Sequence, residues 1–537
     1  MSNFSRRDFL KVAGLASGAV AMSQMAPRFL SRKIDGAPNV IILVFDAMTA
    51  RNLSLYGYKR ETTPNFQKFA ERANVYHNHH SGGNFTTPGT ASLLTGTYPW
   101  THRAFNIAGL IERERIDHNI FTAFGDQYHR LAFSQNLLPN YFFGQFAKDI
   151  ETILPASSFS LIEQVTGEMF TKDSVAAYRS FDNFLFQDGS PPASLVFGLA
   201  DRILLRSKEA RINMNDYPRG LPRAGDHALF FQLKDVFDGV QATISELDAN
   251  GPYLAYLHLW APHTPYKPTK QFDKIFQDNY RPAKKPDHRF GTHIEYYKLN
   301  NRRQNYDEFI ANVDAEFGRL IDTLEASGAL DNSYVVVVSD HGESFERGVE
   351  EHVTKLLYET LTHIPLLISA PGQQARQDIY VPTNNVDILP TLLKLTGHPI
   401  PDWTEGKLLP GFGGVEDMER SQFTVEAKGN PAYAPLTQAT VAMVKGSHKL
   451  IYYSGYEAEV SFELYDLEND YEELEDLYPS QPSFLKALKD ELLEKMDSVN
   501  KKVPQTLICL KNYFHIPIKF VKRISSLFQG CRVPVLP

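Results

Sequence analysis

Two uninterrupted apolar runs, Val40-Ile41-Ile42-Leu43-Val44-Phe45 and Val335-Val336-Val337-Val338, constrain this chain more than any other feature. Neither alternates with polar residues, so neither suits a strand with one face in water. β-Branched runs of this kind belong to inner strands of a parallel sheet covered by helices on both faces. The first run ends in Asp46 and the second in Ser339-Asp340-His341-Gly342-Glu343. Open α/β sheets bind ligands beyond the carboxyl ends of their strands. Two carboxylates and an imidazole are thus expected at one sheet edge, a donor set suited to zinc, manganese or another divalent ion. Each also has a plainer reading, Asp46 as a helix cap and Asp-His-Gly as a turn.

The segments between supply further candidates. Asn84 to Gly96 reads as a loop running into a helix, with Pro88 at the first helical position and Thr86 or Thr87 at the N-cap. Unpaired N–H groups there would welcome an anion. His77, His79 and His80 lack a favourable ligand spacing and are taken as loop or strand residues. Residues 110–247 are rich in aromatics without a catalytic pattern, and Phe142-Phe143 and Ile153 to Val165 suggest a helical insertion. Tyr253 to Leu259 alternates as a strand and delivers a loop in which Pro262 and Pro265 bracket His263, holding it extended for a substrate contact. A helix is expected from about Tyr306 to Ser327. His352 falls in a charged loop. Ile364 to Ser369 is a further strand, and a capped helix begins near Asp387. Beyond about Gly411 come short strands, Thr440 to Lys445, Lys449 to Tyr453 and Glu463 to Leu467, then an amphipathic helix from about Pro482 to Met496. This describes a smaller α+β unit.

A chain of 537 residues has room for two or three units. Its net charge of −8 argues against a nucleic-acid partner. Ser5-Arg6-Arg7-Asp8-Phe9-Leu10-Lys11, followed by the short apolar run Val12 to Met22, resembles a twin-arginine export signal with cleavage near Ala21, which places the protein at the periplasmic or extracytoplasmic face of the membrane. No acidic residue follows Asp497, whereas Lys501, Lys502, Lys511, Lys519, Lys522, Arg523 and Arg532 alternate with apolar side chains. Such a tail suits peripheral contact with anionic lipid, or packing on its own domain. Cys509 and Cys531 are the only cysteines, either paired or free.

Taken together, the landmarks resemble the sulfatase family of the alkaline phosphatase superfamily. They arrive in family order: the strand ending in Asp46; Tyr56-Gly57 and Thr63-Pro64-Asn65; Pro88 through Leu93-Leu94-Thr95-Gly96 and Tyr98-Pro99; Pro262-His263-Thr264-Pro265-Tyr266; Ser339 to Glu343; Pro365-Leu366 to Pro371-Gly372; Asp387 to Gly397; and Glu463 to Leu467. The resemblance implies an α/β fold, an alkaline-phosphatase/sulfatase-like mixed sheet sandwiched by helices with a smaller C-terminal α+β subdomain. The expected organisation is a signal and linker over 1–36, a catalytic domain over 37–410 with the insertion at about 110–247, the subdomain over 411–500 and the basic tail over 501–537.

The family signature is Cys-x-Pro-Ser-Arg followed by Leu-Leu-Thr-Gly. Setting Pro88 on its proline puts Thr86 at the nucleophile, Gly89 at the serine and Thr90 at the arginine. Sulfatases oxidise the cysteine to formylglycine, a route that threonine does not resemble, and they usually carry a second Asp where this chain has Ala47. The set Asp46, Thr86, Asp340 and His341 is similar to the single-metal site of the superfamily's threonine-dependent phospho-transferases. His263 and His352 fall where relatives place substrate-contacting histidines, and His102 follows Tyr98-Pro99 in the same manner. The resemblance therefore implies a hydrolase or transferase holding one divalent ion (zinc, manganese, calcium or magnesium). It would act on a phosphodiester or lipid-linked head group through a covalent Thr86 intermediate, with His263 or His352 as acid and base. The alternatives are a sulfuric ester hydrolase of arylsulfatase type on the same fold, and an inactive envelope-associated binding protein.

Overall fold

The computed structural model describes residues 36–161, 216–225, 229–249, 251–432, 434–456 and 461–503. The expected export signal, the basic tail with both cysteines and the middle of the aromatic-rich segment lie outside the described residues.

An eight-stranded sheet forms the centre. In chain order its strands are β1 (Asn39–Phe45), β2 (Asn74–Tyr76), β3 (His129–Ser134), β4 (Thr152–Leu154), β5 (Tyr253–Leu259), β6 (Ser333–Val338), β7 (Leu366–Ser369) and β8 (Gln377–Ile379). Across the sheet they run β8-β2-β7-β6-β1-β5-β3-β4. β1 pairs in parallel with both β5 and β6, placing Val44 opposite His258 and Val338. β7 runs against β6 and β2, so the sheet is mixed.

The helices that cover it are α1 (Pro64–Ala70), α2 (Thr86–Thr95), α3 (Leu137–Gln145), α4 (Leu233–Asp248), α5 (Tyr296–Ala326) and α6 (Ile388–Leu395). Successive strand side chains point to opposite faces, and β1 divides accordingly. Ile41, Leu43 and Phe45 enter a core with Phe66, Val236, Phe309 and Phe317, whereas Val40, Ile42 and Val44 enter a second core with Leu93, Phe142, Leu389 and Leu392. Two apolar layers thus explain why the run never alternates.

Several expectations are corrected. β5 is buried along its whole length, because it too lies between two helical layers, and does not alternate. α5 begins ten residues earlier than its apolar spacing indicates. Its first turns, Tyr296 to Asn305, are mostly polar and bury only Leu299 and Arg303. Phe142 and Phe143 lie in α3 as expected, but Ile153 belongs to the edge strand β4 and not to a helix. Residues 129–134 supply β3, and α4 packs on the main core, so the described ends of the aromatic-rich segment are integral to the sheet.

After the main sheet, four strands, β9 (Gln422–Glu426), β10 (Ala439–Lys445), β11 (His448–Ser454) and β12 (Phe462–Asp466), form an antiparallel meander. One face packs against α7 (Leu485–Lys501) through Val425, Met443, Leu450, Leu464, Leu492 and Met496. The other presents Ile451, Tyr453 and Tyr465 to Leu357 and Leu361 of the preceding region. No helix among the described residues is long and apolar enough to cross a membrane.

Candidate active site

Adjacent parallel strands in register end at the same level, so β1, β5 and β6 bring Asp46, His258 and Asp340 together although 294 residues separate the two carboxylates in sequence. All three are fully buried. Backbone amides fix Asp340, whose Oδ1 accepts from Ala47 N at 3.3 Å and His341 N at 3.0 Å. His341 Nδ1 lies 2.8 Å from the Gly342 carbonyl, which it can engage only as a donor. Its Nε2 then faces Asp46 Oδ1 at 3.3 Å, Asp340 Oδ2 at 3.6 Å and Thr86 Oγ1 at 3.3 Å.

α2 brings the threonine in a way that the sequence misjudges. The N-cap is Phe85, with no side-chain cap, and Thr86, not Pro88, is the first helical residue. The first helical bond runs from Gly89 N to Phe85 O, and Pro88 sits where its missing N–H has no intrahelical partner anyway. Released from capping, the Thr86 hydroxyl meets His341 and accepts from Asn136 Nδ2 at 3.3 Å. The Thr87 hydroxyl is buried without a hydrogen-bond partner among the described residues. Gly89 explains one departure from the family signature: a Cβ there would lie 2.2 Å from the Asp340 carbonyl oxygen, so this turn of α2 presses on the end of β6 too closely for serine.

His263 and His352 form the outer side of the site. Their rings are 4.9 Å apart, and His352 lies 4.3 Å from the His341 ring. Glu343 orients His352 through contacts of 3.2 and 3.3 Å to Nδ1, leaving Nε2 for other work. Asn84 joins this loop to the start of α2 by donating to the carbonyls of His352 and Thr354. His102 is placed elsewhere. Its Nδ1 accepts from Ala104 N and its Nε2 meets the Ser92 hydroxyl, so neither ring nitrogen is left for substrate. His79 and His80 are not brought to the carboxylates, and bond Thr383, Asn385 and Glu359 instead.

Two residues of the cluster carry no functional signal in isolation. Asn136, which caps α3 through Leu138 N, donates to Asp46 Oδ2 at 2.6 Å. His258 interrupts an otherwise apolar and aromatic strand, and that polar interruption is the one hint the sequence offers.

Charge and geometry together describe a cation site. Burial pushes the Asp46 carboxyl up, but His263 and the adjacent imidazoles of His258 and His341 outweigh it and hold it well below the usual carboxylate range. Burial raises Asp340, with His341 opposing and the Asp46 charge adding to the rise. Burial also works against protonated His341, yet Asp340 and Asp46 raise it to about 9. Positive charge is therefore favoured at His341 Nε2. Asp46 Oδ1, Asp340 Oδ2 and His258 Nε2 are buried without hydrogen-bond partners among the described residues, a costly state for polar atoms. Among the described residues, Asp46, His258 and Asp340 have ligand atoms within 4.8 Å of one another. Tetrahedral ligands 2.0–2.2 Å from a metal are themselves about 3.4 Å apart, and the contacts around His341 match that spacing. The residues fit a divalent ion.

Residues 38–398 match the family model for sulfatases. The chain belongs to the sulfatase family. Within this family it is an ester hydrolase, and residues 351–502 further match the C-terminal region of N-sulphoglucosamine sulphohydrolase. Among curated proteins, choline-sulfatase of Rhizobium meliloti (strain 1021) is 24% identical over 472 residues, 82% of each chain. Bos taurus arylsulfatase K is 30% identical over 207 residues, 36% of each chain. Among solved structures, phosphonate monoester hydrolase of Agrobacterium radiobacter aligns with a TM-score of 0.61 at 20% identity, over 88% of this chain and 97% of that one. A protein solved with its substrate D-glucosamine-2-N,6-O-disulfate aligns at 0.60 and 16% identity, over 87% and 99%. These structures share the sulfatase fold: a mixed sheet between helices, followed by a small antiparallel sheet.

Proposed function

We propose that this sulfatase-family hydrolase cleaves or transfers a phosphoester, a phosphodiester or lipid-linked head group, through a phospho-Thr86 intermediate. The observation that carries the reading is the place of one atom: Thr86 Oγ1 lies 3.3 Å from both His341 Nε2 and Asn136 Nδ2, beside buried Asp46 and Asp340. Cys509 and Cys531 lie outside residues 38–398, so no cysteine is available there to become an aldehyde. Threonine carries a methyl on Cβ, and its oxidation would give a ketone.

Asp46, Asp340 and His341 would hold the divalent ion, with the Thr86 oxygen beside them. When bound, the ion supplies a Lewis acid that eases deprotonation of the nucleophile and offsets charge on the ester. The Asn136 amide orients Thr86, and the N–H groups at the start of α2 favour anionic oxygens. The Thr86 hydroxyl gives up its proton to solvent, and its oxygen then forms a bond to phosphorus as the bond to the leaving oxygen breaks. His352, its Nδ1–H held by Glu343, donates a proton from Nε2 to that oxygen, assisted by His263. The same histidine then takes a proton from water or an acceptor alcohol, which attacks phosphorus and breaks its bond to Thr86. Digestion and mass spectrometry of protein quenched during turnover should show a phosphoryl-type adduct on Thr86. An adduct on Thr87, or clear turnover by Thr86→Ala, refutes the assignment.

The second reading, sulfate-ester hydrolysis, is favoured by the names of the curated relatives, choline-sulfatase and arylsulfatase K. A panel of chromogenic phosphate monoesters, diesters and sulfates separates the two; turnover of sulfates alone overturns the phosphoester proposal. We further propose twin-arginine export to the periplasmic side and membrane contact through the basic tail. Because α7 extends to Lys501, truncation after Val503 is the suitable test, and unchanged membrane fractionation would argue against tail contact.

A further inference from the structure

We propose that His258 is a direct ligand of the divalent ion, so that the site presents two imidazoles with its two carboxylates and selects zinc over calcium. The inference rests on a cation at Asp46 and Asp340, but not on which ester is cleaved.

The His258 imidazole is costly where it stands. His258 lies in the central sheet on β5, with no solvent exposure, and its Nε2 has no hydrogen-bond partner among the described residues. A ring nitrogen so placed should either be paired or be replaced by an apolar side chain. Its Nε2 is 3.5 Å from Asp46 Oδ2 and 3.7 Å from Asp340 Oδ2. Asp340 Oδ2 is itself unpartnered. The Asp46 oxygen nearest to it is already engaged by Asn136. These atoms converge at the separation of ligands sharing one ion rather than in hydrogen-bond alignment.

The other side of the ring is equally informative. His258 Nδ1 lies 3.1 Å from the Tyr256 hydroxyl, two residues back on the same strand and buried. With the Nδ1–H donated to that oxygen, Nε2 carries the lone pair toward the carboxylates. Fixing one ring nitrogen so that the other can bind metal is a recurrent arrangement around metal-ligating histidines. His341 repeats it, with Nδ1 held by the Gly342 carbonyl.

The donor types then decide the ion. Calcium takes six to eight oxygens, whereas zinc accepts four donors and readily combines imidazole with carboxylate. Ala47, next to Asp46, adds no oxygen to the cluster, and it occupies left-handed backbone (φ 60°), which aspartate tolerates better than alanine. Here the available positions near Asp46 are filled by nitrogen.

The test uses metal-free full-length protein reloaded with zinc. X-ray absorption of the zinc-loaded wild type should resolve two imidazole rings, and chelator competition should show at least 100-fold tighter binding of zinc than of calcium. His258→Gln should retain one ring and lose zinc affinity 100-fold or more, and Tyr256→Phe should lose about 10-fold. Calcium affinity should change little in either variant. If His258→Gln fails to fold, the wild-type ring count and Tyr256→Phe still decide. One imidazole in the wild type, or a folded His258→Gln with wild-type zinc affinity, overturns the proposal. Neither measurement depends on turnover, so failure of the phosphoester reading would leave this result standing, and the converse also holds.

Discussion

Buried charge is handled in opposite ways at the edge of the main sheet and beneath the meander. Under β11, Lys449 is fully buried and its ammonium lies 2.8 Å from Glu359 Oε1 and 3.1 Å from Glu473 Oε1. His80 Nε2 approaches the same Glu359 oxygen at 3.3 Å. That region supplies its own cation, and Glu359 is held well below the usual carboxylate range, Lys449 outweighing the burial that opposes ionisation. At the strand ends, among the described residues, Asp46 and Asp340 have neither lysine nor arginine among their ion-pair partners, only His258 and His341. A buried carboxylate given a fixed counter-charge builds structure. One left with unpaired atoms beside a hydroxyl is available for chemistry.

The strongest challenge to the comparison is Thr86→Ala, expected to lower turnover by at least about 10⁴-fold while leaving the melting temperature nearly unchanged. A proportionate loss of folding would mean that this hydroxyl is structural after all. Next, Lys449→Met removes the counter-charge of Glu359 and Glu473 and should cost about 3–5 kcal/mol in urea unfolding, since breaking a buried pair strands a charge. If it is harmless, the two clusters are not different in kind.

A smaller effect sharpens the picture through pH. Burial lowers His79 to about 3, with the Asn385 contact acting in the other direction. Above pH 6.5 neither the folded nor the unfolded state binds a proton there. As pH falls below 6.5, only the unfolded chain does, so stability declines by about 1.4 kcal/mol per pH unit until the folded value is reached. His79→Gln should remove about 2 kcal/mol of the loss between pH 6.5 and 5, measured by denaturant unfolding. Smallest is Asp340→Asn. Relieving the like charge beside Asp46 should stabilise metal-free protein by about 1 kcal/mol while abolishing tight metal binding. Destabilisation would place Asp340 with the structural charges.

Much of this was legible in the chain because inner parallel strands carry an unmistakable pattern. Val40 to Phe45 and Val335 to Val338 by their pattern alone place Asp46, Asp340 and His341 at one sheet edge. Three of the four meander strands, β10, β11 and β12, lie within a residue of their expected bounds, since their apolar positions face distinct cores, whereas β9 is not among the strands read from the sequence. The early turns of α5 were missed because a helix whose first turns are solvated has no apolar period to read. The helix start at Thr86 was misjudged because proline suits several first-turn positions, and packing of Gly89 against the Asp340 carbonyl selected among them.

Sequence by itself determined the layered α/β frame, the acidic strand ends and the threonine standing where the family signature has cysteine, all of them local patterns or fixed spacings. Only the tertiary structure decided that His258 and Asn136 join that site and that His102 does not. Strand register places His258 beside carboxylates distant in sequence, Asn136 follows the strand that pairs with β5, and His102 satisfies both nitrogens within the fold. A single histidine or asparagine has no periodicity to betray its role; that role follows from which buried atoms remain unpaired once the strands are aligned.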